Sequence, residues 1–214
     1  MFKITTLIAA FLLSSLLATN LFADDIKLPA PKKEGGEGIF TLLERRASGT
    51  RTAFPTGAIS LDELATVLWA ASGQNRDGKG WTVPIAKGSP PYVKIYVVKA
   101  DGAFKYDWKS HSLLEVTKDN VMANVSGDDF VIKSSAILVF VVDGENLGPL
   151  SQVPDPSLIA GALGGAMSQN VYLAVDSLSL ATRYLMTLKK DGAIEKLKLS
   201  QKDQPIFIMP LSRK

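Results

Sequence analysis

The chain has 214 residues, 46% of them hydrophobic, with 24 basic and 21 acidic side chains, one histidine and no cysteine. Near-balanced charge argues against nucleic acid, which asks for a clustered basic face, and the missing thiols exclude disulfides, thiolate nucleophiles and thiolate metal sites together. A single histidine leaves a zinc centre without a second nitrogen ligand or any sulfur one, and no Gly-x-Ser-x-Gly elbow is present for a Ser-His-Asp hydrolase.

The first 23 residues pair Lys3 with an apolar run from Leu7 to Leu17 and end in the small Ala23 before Asp24-Asp25. That pattern predicts a secretory signal cleaved after Ala23. Its apolar run falls short of the roughly 20 residues a membrane span needs. The expected product is an exported chain, periplasmic or extracellular, with no span left after cleavage. Residues 24–38, rich in Pro, Gly and charge, are expected as a flexible leader, and residues 39–214 as one domain.

Ile39 to Arg46 predicts a short helix. Ser60-Leu61-Asp62-Glu63 is a capping box for a second helix with Leu61, Leu64, Ala65, Leu68 and Trp69 on one face, stopped by Gly73. Residues 74–91 predict a long loop, the kind that is often functional. Tyr92 to Lys99 and Ala103 to Trp108 predict a hairpin turned at Asp101-Gly102, with a short strand from Ser112 to Val116. A short helix is expected in 119–130, a buried strand over 135–142 and a turn-rich loop over 143–156. Residues 157–180, apolar nearly all round, predict a helix buried in the domain or in an oligomer interface. A strand over 182–188, a helix over 193–199 and a strand over 205–211 complete an α+β fold of mainly antiparallel sheet flanked by helices.

Gly73 to Gly80 nearly spells a phosphate loop, but Gly80 stands where the magnesium-binding hydroxyl belongs, and the segment follows a helix. His111 is expected as a solvent-facing turn residue. Asn124-Val125-Ser126 fits a glycosylation triplet common by chance. Arg45, Arg46 and Arg51, interleaved with Ser48 and Thr50, could hold a phosphate through paired hydrogen bonds, joined by Arg213 and Lys214 if the chain ends meet. Each cluster by itself is also the pattern of a solvated face.

LLERRASGTRTAF, ISLDELATVLWAASGQNRDGKGWTVP and YVKIYVVKADGAFKYD, in that order, resemble the nitroreductase superfamily, in the branch related to thiazoline- and oxazoline-forming peptide dehydrogenases. The most specific piece is Leu68-Trp69-Ala70-Ala71 with Gly73, Asn75 and Arg76. The resemblance implies an FMN-dependent homodimer with flavin at the subunit interface. Arg45, Arg46 and Ser48 match the phosphate motif, with Arg51 after an insertion. Pro84, Ile85 and Ala86 match the segment beside the isoalloxazine ring, and Arg213 or Lys214 the C-terminal basic residue. It implies no catalytic acid-base pair and no metal, because the flavin carries the hydride chemistry. Departures include Ile85 in place of the usual serine, Ser179 in place of a glycine after the long helix, and Ser212 where glycine is frequent. The expected function is an exported FMN oxidoreductase passing electrons from a reduced donor to a small organic acceptor. The alternative is a ligand- or partner-binding protein on the same fold with an altered pocket.

Overall fold

A computed structural model describes residues 24–85 and 89–214. The expected signal segment lies outside the described residues, as does Ala86. In chain order come β1 (Ile26–Lys27), α1 (Ile39–Arg45), α2 (Leu61–Ser72) and a small hairpin of β2 (Gln74–Asn75) and β3 (Gly80–Trp81). A meander of β4 (Val93–Lys99), β5 (Gly102–Asp107) and β6 (Ser112–Thr117) follows, then two single-turn helices, α3 (Met122–Val125) and α4 (Asp129–Ile132). The chain closes with β7 (Ala136–Val142), α5 (Pro156–Ser177), β8 (Leu180–Thr182), α6 (Lys190–Lys196) and β9 (Gln204–Arg213).

Seven strands form one sheet in the order β1-β6-β5-β4-β7-β9-β8, with every pairing antiparallel. The continuous apolar run of β7 follows from its interior position. Leu138, Phe140 and Val142 face a core under α2 and α5, while Ile137, Val139 and Val141 face a second core under α3, α4 and α6. Side chains alternate across a strand, so a strand covered on both faces has no polar position. Each such large side chain contributes roughly 1.5–3 kcal/mol on burial.

The capping box forms as expected, with Glu63 N donating to Ser60 Oγ at 3.2 Å and Ser60 N donating to Glu63 Oε2 at 2.8 Å. Gly73 ends α2, yet its φ of −84° is open to any residue. Glycine is required there by close approach: a Cβ would sit 2.2 Å from Trp69 Cδ1. At the other long helix, Asp155 caps α5 by accepting from Leu158 N at 3.0 Å, with Pro156 in the first turn. Among the described residues α5 alone is long and apolar enough to cross a membrane; here Leu163, Met167 and Val171 pack into the core against the sheet and α2.

Several expectations are corrected. The segment expected as a flexible leader is laid along the fold: Ile26 and Lys27 pair with Leu113 and Ser112, and Leu28 is buried. His111 is the latch, half-buried and not solvent-facing. It takes φ +48°, its carbonyl accepts from Leu28 N, Tyr106 Oη lies 2.9 Å from Nδ1, and Nε2 lies 3.0 Å from Pro29 O. The 74–91 loop contains the β2–β3 hairpin, and the phosphate-loop look-alike is its turn, with positive φ at Arg76, Asp77 and Gly78. The expected strand over 182–188 leaves the sheet after Thr182, because Tyr184 N donates to Tyr172 Oη at 2.8 Å and not to a neighbouring strand. Only Leu185 returns, bridging to Ile208. The single helix expected within 119–130 is two separate turns, α3 and α4, with Ser126, Gly127 and Asp128 between them. α6 begins at Lys190, three residues before the expected start.

Candidate functional site

α1 packs beside the C-terminal end of α5, and β9 returns the last residues to the same place. Arg45 closes α1 and donates from Nε to Asp176 Oδ2 at 2.6 Å, while another of its nitrogens pairs with Glu37. These contacts, Asp176 first, raise the Arg45 pKa above its ordinary value. Lys214 Nζ reaches the other Asp176 oxygen at 3.5 Å. Ser48 Oγ lies 2.7 Å from Tyr172 Oη, and the Arg46 guanidinium lies 4.9 Å from the centre of the Tyr172 ring. Arg45, Ser48, Tyr172, Asp176 and Lys214 together line a cavity of about 100 Å³.

The chain ends therefore meet, but not every expected residue joins them. Arg213 turns away and pairs with Glu63, the capping-box acid of α2. Arg51 lies 5.9 Å over the Phe130 ring on a separate surface. Pro84 and Ile85 line a different groove, shared with Arg76, Lys79 and Trp81. Between that groove and the basic cavity runs α5, whose Asn170 donates from Nδ2 to Ala70 O at 2.9 Å and Thr82 O at 3.0 Å. Those bonds tie the ring-side segment and the end of α2 to one helix. Ser212, where glycine was expected from the resemblance, is fully buried, and its Oγ accepts from Ser135 N at 3.1 Å.

Tyr172 and Asp176 are site residues that sequence reasoning missed. A signal existed: Asp176 is the only charged residue in the 22 residues of α5. A lone acid on a buried helix needs a cationic partner, and two cations meet it. Arg46 has no acidic partner among the described residues, so the cavity and its rim carry more positive than negative charge. Such a surplus beside two hydroxyls suits an anion with several acceptor oxygens.

No protein-family model and no curated protein matches the chain. Solved structures do. A candidate nitroreductase from Ralstonia eutropha JMP134 is 28% identical, covering 88% of this chain and 89% of its own, with a TM-score of 0.76. A candidate nitroreductase from Anabaena variabilis ATCC 29413 has a TM-score of 0.71 at 18% identity; it covers 90% of this chain, which spans only 42% of that longer one. The E. coli microcin synthetase McbBCD complex has a TM-score of 0.59 at 15% identity, covering 98% of this chain and 84% of its own. The Ralstonia likeness supports an oxidoreductase of nitroreductase type, and the other two support the fold. The chain has the nitroreductase fold, and in structure and sequence it resembles the nitroreductase superfamily.

Proposed function

We propose that the chain is exported, loses its first 23 residues and works as a homodimeric FMN-dependent oxidoreductase, passing electrons from a reduced donor to a small organic acceptor. The observation that carries this reading is the surplus cationic cavity where the two chain ends meet. Its donor set fits a phosphate group. Arg46 and Ser48 would hold it, Arg45 and Lys214 would turn from Asp176 to supply charge, and Tyr172 would position Ser48. Pro84, Ile85 and Ala86 would flank the ring, with Thr82 held by Asn170 to keep that segment in place. Bound flavin would supply the hydride chemistry; the protein supplies binding, orientation and charge.

The dimer part of the proposal rests on an apolar surface. Ile39, Phe40 and Leu43 are exposed on α1, Phe40 at 84%, and Leu158 is 70% exposed on α5. A Cβ at Gly161 or Gly165 would meet nothing within 4 Å, so that stretch of α5 leaves room for a second backbone. These two apolar patches, on α1 and at the N-terminal end of α5, mark the surface that a second protomer would cover.

The deciding measurement is an absorbance spectrum of the purified protein before and after incubation with FMN and desalting, followed by turnover of a quinone or nitroaromatic. Retained flavin bands with turnover support the proposal, and light scattering reads the dimer. A protein that stays colourless overturns it. The second reading, a ligand- or partner-binding descendant of the fold, is favoured by two observations: the Asp176 carboxylate inside the phosphate cavity, and the missing hydroxyl at Ile85.

A further inference from the structure

The motif Leu68-Trp69-Ala70-Ala71 with Gly73 and Asn75 has no part in the basic cavity, and the structure gives it another place. Trp69, Ala70 and Asn75 line a second cavity of about 400 Å³ between the 32–37 segment, α2 and α5. That volume is in the range of small-molecule sites. We propose that this cavity binds a planar aromatic carboxylate bearing a ring hydroxyl, whether or not flavin is present.

Three features name the ligand class. First, the indole of Trp69 is a rigid wall: Nε1 donates to Gln74 O at 2.8 Å, and the ring edge is pressed against Gly73, where even a Cβ would collide. Leu42, Leu173 and Leu178 continue the apolar lining. A flat apolar wall with locked rotation favours an aromatic ring, offset-stacked.

Second, the charge at the rim is unequal. Glu37 is paired with Arg45, which leaves the ammonium groups of Lys32 and Lys33 facing the single carboxylate of Glu34. Lys33 Nζ lies 5.6 Å from the centre of the Trp69 ring, near the outer limit for a cation–π contact. It holds the ring face loosely in the free protein and is released to a ligand carboxylate.

Third, Asn170 offers an unused acceptor. Its amide nitrogen serves Ala70 O and Thr82 O, so its orientation is set, and its oxygen receives no donor among the described residues. Asn170 lines the cavity, so a hydroxyl on the ligand ring satisfies that oxygen.

The test is calorimetric titration of the purified protein with 1-hydroxy-2-naphthoate and with its neutral amide, each with and without saturating FMN. The acid is expected to bind about tenfold more tightly than the amide at low salt, a gap that closes by about 0.5 M salt as screening rises. Lys32→Gln with Lys33→Gln removes the gap, because both side chains stand on the surface and their loss leaves the fold intact. Trp69→Leu weakens acid and amide alike by about tenfold or more. Ala174→Phe, which fills the cavity, abolishes binding and serves as the second variant if Trp69→Leu does not fold. No binding of the acid to the unmodified protein, binding insensitive to the lysine pair and to Ala174→Phe, or competitive displacement by FMN would each overturn the assignment.

Discussion

Two ion clusters in this molecule are charge mirror images, and their difference separates a structural site from a binding one. Lys94 on β4 stands between two aspartates, 3.0 Å from Asp143 and 2.9 Å from Asp203. Side-chain exposure there is 13% for the lysine, 9% and 3% for the acids. Asp176 stands between two cations, Arg45 and Lys214, whose side chains are 43% and 56% exposed. In the first cluster burial pushes the Lys94 pKa down, and the hydrogen bonds it donates to Asp203 and Asp143 more than reverse it. Burial likewise pushes Asp143 up, and contacts from Asn146 and Lys94 hold it below the ordinary carboxylate range. Every charge there is committed, because an unpaired charge at that depth would be costly. In the second cluster the cations are open to water while the Asp176 side chain is 11% exposed, so one cation can turn to a ligand at small cost as long as the other stays on the carboxylate.

Breaking the closed cluster should have the largest effect. Lys94→Met leaves two buried carboxylates facing each other and should cost about 3–5 kcal/mol in chemical denaturation, with part regained when Asp203→Asn is added. An equal loss for Lys94→Met alone and with Asp203→Asn would mean that the acids do not need the lysine. In the open cluster the effect should appear in binding. Arg46→Ala removes a charge-assisted contact of about 1.5–3 kcal/mol, equivalent to roughly 10- to 100-fold in the dissociation constant for FMN, while the unfolding midpoint barely moves. Unchanged affinity would detach Arg46 from the phosphate.

Asp176→Asn sharpens the comparison further. Freed from their carboxylate, Arg45 and Lys214 should hold inorganic phosphate or FMN several-fold more tightly, and stability should change by less than about 1 kcal/mol. Weaker binding would instead make Asp176 the residue that positions both cations. The smallest effect concerns the latch. Burial, with Lys27 and Lys33 nearby, lowers the His111 pKa against the opposing hydrogen bond to Pro29 O. The neutral Nε2–H tautomer donates to Pro29 O and accepts from Tyr106 Oη, whose own pKa burial raises well above its ordinary value. Because the folded protein binds that proton less readily than the unfolded chain, the latch contributes fully above pH about 6.5 and weakens as pH falls toward the lowered folded value. The hydrogen-exchange protection of the Leu28 amide, relative to its intrinsic rate at each pH, should fall over that interval, and His111→Gln should flatten the response.

Much of the fold was legible along the chain. β4, β5, β6 and β7 stand within about a residue of their expected positions, since their apolar runs and the Asp101-Gly102 turn are local signals. Ser60 and Glu63 formed their reciprocal cap for the same reason. The leader misled because charge, proline and glycine report how a segment behaves alone; Leu28 found a buried place only once β6 offered an edge and His111 a carbonyl. At the candidate site, Arg45, Arg46 and Ser48 were singled out by their charge, hydroxyl and family likeness, and the fold places Arg45 and Ser48 on one cavity. Arg213 and Lys214 were not separable, since one step along β9 decides which points to Glu63 and which to Asp176.

By itself the sequence determined the two-faced core, the caps, the absence of thiol chemistry and the likeness of its motifs to nitroreductases. Those are properties of composition and short-range periodicity, which each segment carries wherever it lies. Only the tertiary structure decided that residues 45 and 214 share one carboxylate, that Trp69 walls a separate cavity, and that the lone acid of α5 is a partner to both chain ends. Such pairings span 38 and 131 residues, and a charge keeps no mark of its partner until packing brings the two together and removes the water between them.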